Sequence, residues 1–225
     1  MNKSKALIML SGGIDSATCL YWAKKNFTKV FAITFNYYDR VENEKKATVE
    51  LAKRVDVEKL LEIDIPFIKE YSDRVTTDCN DHNSSYSQYS DYDERLLSYI
   101  PARNMIFYSI AAHYAEFSGI KRIIGGHNSV DAKFFKDATK RYVQKINLLF
   151  KQGCLIRDDG PCKILLPLAD MDRKKIINLA LELDVPLQIT WSCHNNGDSQ
   201  CGKCYSCLQR LDAFKSLGIK DPMFN

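Results

Sequence analysis

The sequence predicts an α/β protein: a doubly wound, mainly parallel five-stranded sheet with a C-terminal helical appendage that carries clustered cysteines. Three observations predict it. Five short apolar runs alternate with stretches of helical periodicity, as strand-helix-strand units require. The first run passes directly into a glycine-paired turn that opens a helix, and four cysteines crowd into residues 193–207. With 225 residues, 45% apolar and 27% charged, the chain is long enough to bury a substantial core. A formal charge of +4, with basic residues spread among 28 acidic ones, is too mild to argue for nucleic acid. No apolar stretch approaches the length of a membrane span, and Met1-Asn2-Lys3-Ser4-Lys5 shows no signal-peptide cleavage pattern, so the expectation is a cytoplasmic protein with reduced thiols.

The first strand is Ala6-Leu7-Ile8-Met9-Leu10, and Ser11-Gly12-Gly13-Ile14-Asp15-Ser16 is the turn that follows. Glycines let the backbone approach a ligand, and the new helix aims its free N–H groups and positive dipole end into the turn, which suits an anion. Ser11, Ser16 and Thr18 add hydroxyls; the turn has no lysine, which separates it from the phosphate loop of P-loop nucleotidases. The simpler reading is a strand-to-helix turn with Asp15 or Ser16 as N-cap. Asp15 to Asn26 has helical spacing, and Val30 to Phe35 reads as a second buried strand. A right-handed crossover brings its carboxyl end to the same edge as the turn, where ligands bind. Asn36-Tyr37-Tyr38-Asp39-Arg40 follows there, either a polar strand-end loop or a ring and a guanidinium beside a nucleotide.

Glu42 to Arg54 reads as a surface helix and Leu60 to Ile65 as the third strand; the pattern then breaks down until about Tyr99. The density of Ser, Asn, Asp and Tyr between Thr76 and Asp93 predicts a lid or a subunit contact, and with it a homodimer. Pro101-Ala102-Arg103-Asn104 leads into a helix from Met105 to Ser118. Arg103 stands in its first turn, where the dipole disfavours a cation; an anionic ligand would remove the conflict, as would a side chain reaching away. Ile120 to Ile124 is the fourth strand, ending in Gly125-Gly126-His127-Asn128-Ser129-Val130-Asp131. Asp131 and Asp137 offer carboxylates to the nitrogens of a base or to magnesium with phosphate; for either aspartate taken alone, a helix cap is the simpler reading. Tyr142 to Phe150 reads as helix, Lys163 to Leu168 as the fifth strand, and a helix capped by Asp170 or Asp172 runs to Leu183.

Cys193, Cys201, Cys204 and Cys207 can close a tetrahedron around zinc, with two residues between each of the last three. A closed four-sulfur site leaves no position for water, so the zinc is read as structural. His194 adjoins a ligand without being one; Cys19, Cys79, Cys154 and Cys162 stand apart as core or loop thiols. The expected division is a nucleotide-handling domain over 1–190 and a zinc-binding segment over 191–225.

Ser11-Gly12-Gly13-Ile14-Asp15-Ser16 resembles the PP-loop of the N-type ATP pyrophosphatases. Together with Pro101-Ala102-Arg103-Asn104, Trp191-Ser192-Cys193 and Cys201-Gly202-Lys203-Cys204-Tyr205-Ser206-Cys207, the chain resembles the QueC family from end to end. The resemblance implies an adenine nucleotide alpha hydrolase-like fold and an ATP-dependent ligase that, with magnesium, adenylates 7-carboxy-7-deazaguanine. Ammonia then displaces AMP, and a second adenylation of the amide leads to the nitrile. It assigns ATP binding to Leu10, Ser11, Gly12, Gly13, Ile14, Asp15, Ser16, Ala17 and Thr18, and catalysis to Asp15, Ser16 and Arg103. Substrate binding falls to Tyr38, Arg40, Arg103, Asn104, Asp131 and Asp137. Two departures stand out: Arg40-Val41 where the family has Arg-His, and Phe135-Lys136-Asp137-Ala138-Thr139 where it has Tyr-Pro-Asp-Cys-Arg. They leave room for a QueC-like enzyme that hands the activated deazaguanine to another amine, such as a protein amino group. A tRNA-thiolating enzyme with the same loop would need a catalytic cysteine pair outside the zinc site and a basic RNA face, and neither is visible.

Overall fold

The computed structural model describes residues 4–37, 40–68, 100–153 and 160–224. Tyr38, Cys79, Cys154 and residues 69–99 of the tyrosine-bearing stretch lie outside them. The strands are β1 (Lys5–Met9), β2 (Lys29–Asn36), β3 (Leu60–Asp64), β4 (Arg122–Ile124) and β5 (Lys163–Leu165). The helices are α1 (Ile14–Asn26), α2 (Glu42–Val55), α3 (Arg103–Phe117), α4 (Asp131–Phe134), α5 (Lys140–Gly153), α6 (Arg173–Glu182) and α7 (Tyr205–Ser216). The fifth strand stops short of Leu168 because Pro167 has no N–H with which to continue the ladder. Asp172, not Asp170, caps α6, accepting from the Lys175 amide at 2.9 Å.

All strands are parallel, in the order β3-β2-β1-β4-β5. Alternate residues serve opposite faces, as a pleated strand demands. Ala6, Ile8, Ala32 and Ile124 join one core with residues of α1, α2, α6 and α7, while Leu7, Ile33 and Ile123 join another with residues of α3 and α5. The sheet is therefore covered on both sides, and the order in which strands are added reverses at β1, with β2 and β3 on one side of it and β4 and β5 on the other. The connections that leave the polar ends of β1 and β4 diverge there, opening the crevice in which doubly wound sheets bind ligands.

The tail is tied to this body at several points. Ala213 and Phe214 of α7 enter the main core. Arg210, 3% exposed, pairs with Asp221 at 2.6 Å and donates to the Thr190 and Leu187 carbonyls. Val41 and Ala47 pack with Trp191, Cys193 and Cys207. No helix among the described residues is long and apolar enough to cross a membrane.

Candidate active site

The turn after β1 owes its shape to Gly12. Gly12 has φ +93°, and a Cβ there would lie 2.5 Å from the Glu44 carbonyl oxygen, so no other residue fits without moving α2. Gly13 is the N-cap of α1 and no described side chain caps the helix; the alternative of Asp15 or Ser16 as cap is set aside. The first-turn N–H groups thus remain for an anion. Ser16 Oγ turns back into the loop, accepting from the Ser11 and Gly12 amides at 3.2 Å and donating to the Gly13 carbonyl at 3.0 Å. Thr18 differs from expectation: its buried hydroxyl donates to the Ile14 carbonyl at 2.8 Å, so α1 consumes it. Ala17 is likewise fully buried in the core.

Arg40 borders the crevice, but its N–H groups are directed at protein acceptors. They reach the Ser11 carbonyl (2.7 Å), Thr34 Oγ1 (2.7 Å), Thr48 Oγ1 (2.9 Å), the Phe35 carbonyl (3.2 Å) and Glu44 Oε2 (3.4 Å). Its side chain is 4% exposed. The geometry is that of a strut joining the turn, β2 and α2. Arg40→Met should therefore lower the unfolding free energy by about 3 kcal/mol, measured by urea titration, because it orphans Glu44 and several buried acceptors.

On the other side of the turn, Asp15 accepts from Asn128 Nδ2 at 3.0 Å and pairs with Arg173 at 3.2 Å. Asn128 is fully buried, and its Oδ1 accepts from the Val130 and Asp131 amides. That turn opens α4 and aims the amide at Asp15. Asp131 lies in the same group; burial and then the Asp15 charge push its carboxyl up to about 6. Asp137 sits in the 3-10 turn Lys136–Ala138 and borders neither of the two cavities described next.

Two cavities flank the turn and share Ser11, Asp15, Ser16 and Glu44. The first, about 170 Å³, lies toward α6 and the tail, with Arg173, Trp191, Ser192, His194 and Ser206 on its wall. The second, about 300 Å³, lies over the ends of β1 and β2 and against α3, with Phe35, Tyr37, Arg103, Asn104, Phe107 and His127 on its wall. Arg103 opens α3 and lies over the Tyr37 ring, 5.8 Å from its centroid. His127 meets Tyr108 edge to face, and His127 Nε2 and Tyr108 Oη have no hydrogen-bond partner among the described residues.

Burial, reinforced by the Arg103 charge, brings His127 down from 6.5 to about 4. The folded chain holds it neutral, so its contribution to stability is intact above pH 6.5 and is lost as pH falls toward about 4. Asp131 acts with the opposite sign, its raised carboxyl costing stability as pH rises from 3.8 to about 6. Relative to the wild-type chain, His127→Gln should gain stability between pH 6.5 and pH 4, read as the difference in urea midpoints at matched pH.

The sulfur atoms of Cys193, Cys201, Cys204 and Cys207 lie within 4.8 Å of one another. Cys201 and Cys207 are 3.9 Å apart and Cys204 and Cys193 4.0 Å apart, close to the tetrahedron edge of about 3.8 Å implied by a zinc–sulfur bond of about 2.3 Å. Backbone N–H groups of Asn195 and Cys201 point at Cys193, and those of Lys203 and Cys204 at Cys201, all at 3.3–3.4 Å. The Lys203 and Cys204 amides pull the Cys201 thiol down to about 6, whereas burial pushes Cys193 and Cys207 up. A cation would offset that burial cost. The donor set therefore fits a structural metal.

Of the residues singled out from sequence, the fold gathers Leu10, Ser11, Gly13, Ile14, Asp15, Ser16, Arg40, Arg103 and Asn104 around the two cavities. Glu44, His127, Asn128, Arg173 and Ser206 escaped sequence reasoning. Arg173 had a readable signal: it opens α6 directly after its N-cap, the same cation-at-N-terminus conflict that drew attention to Arg103.

A covered parallel sheet whose strand order reverses at β1, bearing a lysine-free Ser-Gly-Gly-Ile-Asp-Ser turn at that point, defines a PP-loop protein of the α/β class. Two solved structures share the fold. Superposition on NMN synthetase from Francisella tularensis gives a TM-score of 0.51 at 18% identity, over 97% of this chain and 78% of that one. A predicted subunit of tRNA methyltransferase from Methanocaldococcus jannaschii also gives 0.51, at 15% identity, over 99% and 92%. The chain belongs to the QueC family, whose description, Queuosine biosynthesis protein QueC, matches residues 5–218. It is 36% identical over 220 residues to the 7-cyano-7-deazaguanine synthase of Nostoc punctiforme, covering 97% of this chain and 98% of that protein. The synthase of that name from Campylobacter jejuni is 36% identical over 218 residues, covering 96% of each.

Proposed function

We propose that the protein is an ATP-dependent carbon-nitrogen ligase that converts 7-carboxy-7-deazaguanine and ammonia into 7-cyano-7-deazaguanine, releasing AMP and pyrophosphate. The observation that carries this reading is 36% identity to synthases of that product along nearly their full length. The substrate carboxylate attacks the α-phosphate of ATP, and pyrophosphate leaves. Ammonia adds to the acyl adenylate and expels AMP, giving the amide and releasing a proton. The amide oxygen then attacks a second ATP, releasing pyrophosphate and one of the two amide protons, and loss of AMP with the remaining nitrogen-bound proton leaves the nitrile.

In this reading the amides of the first turn of α1 and the Ser11 hydroxyl hold the departing phosphates, while Ser16, whose hydroxyl donates to the Gly13 carbonyl, keeps the loop in shape. Asp15, braced by Asn128 and Arg173, holds the magnesium that accompanies ATP and spreads the phosphate charge. The second cavity takes a purine-like base against Tyr37 and the stacked Phe35–Phe107 pair, and Arg103 and Asn104 meet an anionic group at its edge. Cys193, Cys201, Cys204 and Cys207 hold a structural zinc that keeps residues 191–225 packed on the domain over 1–190. Cytoplasmic placement and a homodimer belong to the same proposal.

The test is mass-resolved turnover with ATP, magnesium, 7-carboxy-7-deazaguanine and ammonia. Nitrile is expected. AMP with adenylate or amide as the end point would favour transfer to another amine, the reading that the departures at Val41 and at Ala138-Thr139 motivate. Absence of AMP would overturn the proposal.

A further inference from the structure

We propose that the cysteine-bearing tail completes the pyrophosphate site, with Ser206 and His194 binding the magnesium complex of pyrophosphate from the side opposite the glycine turn. The inference rests on the function proposed above and adds residues to it. The first cavity has two polar walls: Ser11, Asp15 and Ser16 on the turn, and Ser192, His194 and Ser206 on the tail. These walls are held in register directly. The Trp191 amide donates to the Gly12 carbonyl at 3.0 Å, and the Trp191 carbonyl lies 3.6 Å from where a Gly13 Cβ would stand.

The metal cluster sets the positions of the tail groups. Ser192 and His194 flank Cys193, and Ser206 lies between Cys204 and Cys207. Ser206 Oγ and His194 Nε2 are 2.8 Å apart, so the two ends of the cysteine motif meet at the cavity. Ser206 stands in the first turn of α7, where free backbone N–H groups favour an anion. From the α6 wall Arg173 adds a guanidinium whose Nε has no partner among the described residues. Asp15 and Glu44 border the same space; their charge repels a bare anion and suits one that arrives with a divalent cation. The arrangement gives a structural zinc a functional consequence, because the fold of the cysteine loop decides whether three polar side chains face the phosphates. It also sends the leaving group away from the second cavity, where the acceptor lies.

The test is calorimetric titration of the zinc-loaded full chain with magnesium pyrophosphate, comparing the wild type with Ser206→Ala, His194→Ala and Ser206→Thr. Zinc content and melting temperature are measured on each. Ser206→Ala and His194→Ala should each weaken binding about tenfold, the effect of losing a hydrogen bond to a charged group. Ser206→Thr should restore affinity, with zinc and melting temperature unchanged throughout. Binding within twofold of wild type in both alanine variants would overturn the inference while leaving the proposed function standing. Loss of affinity together with loss of zinc would overturn it as well, since that marks a structural effect. A wild-type chain that binds no magnesium pyrophosphate would overturn the inference and the reading of the glycine turn with it.

Discussion

Asp15→Asn is expected to reduce AMP release on the order of 10³-fold in kcat/KM, about 4 kcal/mol of transition-state stabilisation, while the fold survives. The substitution keeps the shape of the side chain and an oxygen for Asn128 Nδ2, now 3.0 Å from the carboxylate. What it removes is the charge at the shared edge of the two cavities. Arg173 is not stranded, because both Asp15 and Asp131 act on it. The Asp15 charge is one cause of the raised Asp131 carboxyl, so its removal lets Asp131 ionise more readily and take over as counter-ion. Steady-state AMP assays beside thermal melts separate the two effects. A variant that keeps more than a tenth of wild-type turnover would show that Asp15 serves the fold rather than the phosphates.

Cys204→Ser is expected to act on stability first. A four-thiolate site that loses one ligand binds zinc far more weakly, and loss of a metal is among the few single changes that cost more than about 4 kcal/mol. For a chain of this size that corresponds to a fall in melting temperature of about 8–16 °C. The loss should begin in the tail, since the cluster shares its packing with Trp191, Val41 and Ala47. A strong chelator should lower the wild-type melting temperature by a similar amount and leave the variant unmoved. Retention of full zinc and full thermal stability by Cys204→Ser would overturn the metal assignment.

Much of this molecule was legible in the chain itself. Each of the five apolar runs became a strand of the parallel sheet, within a few residues of its expected ends. Arg103 was singled out by a conflict with the helix dipole, and it does line a cavity. Less was legible about side chains whose role depends on distant partners. Thr18 carries the right hydroxyl for an anion site, yet its position on α1 points it into the core. Arg40 follows the second strand where a ligand-facing guanidinium is reasonable, but Ser11, Thr34, Glu44 and Thr48 converge on it.

By itself, the sequence determined the α/β class, the glycine turn at the carboxyl edge and the four-sulfur cluster. These depend on local spacing: continuous apolar runs alternating with helical periodicity, glycine where φ is positive, and cysteines with two residues between them. Only the tertiary structure decided that the turn has a cavity on each side, that Asn128 and Arg173 brace Asp15, and that the cysteine loop presents Ser206 and His194 to the turn. Those groups are brought together by strand order and helix packing across separations such as the 113 residues between Asp15 and Asn128, and no local pattern encodes which distant side chains a fold will bring within hydrogen-bonding distance.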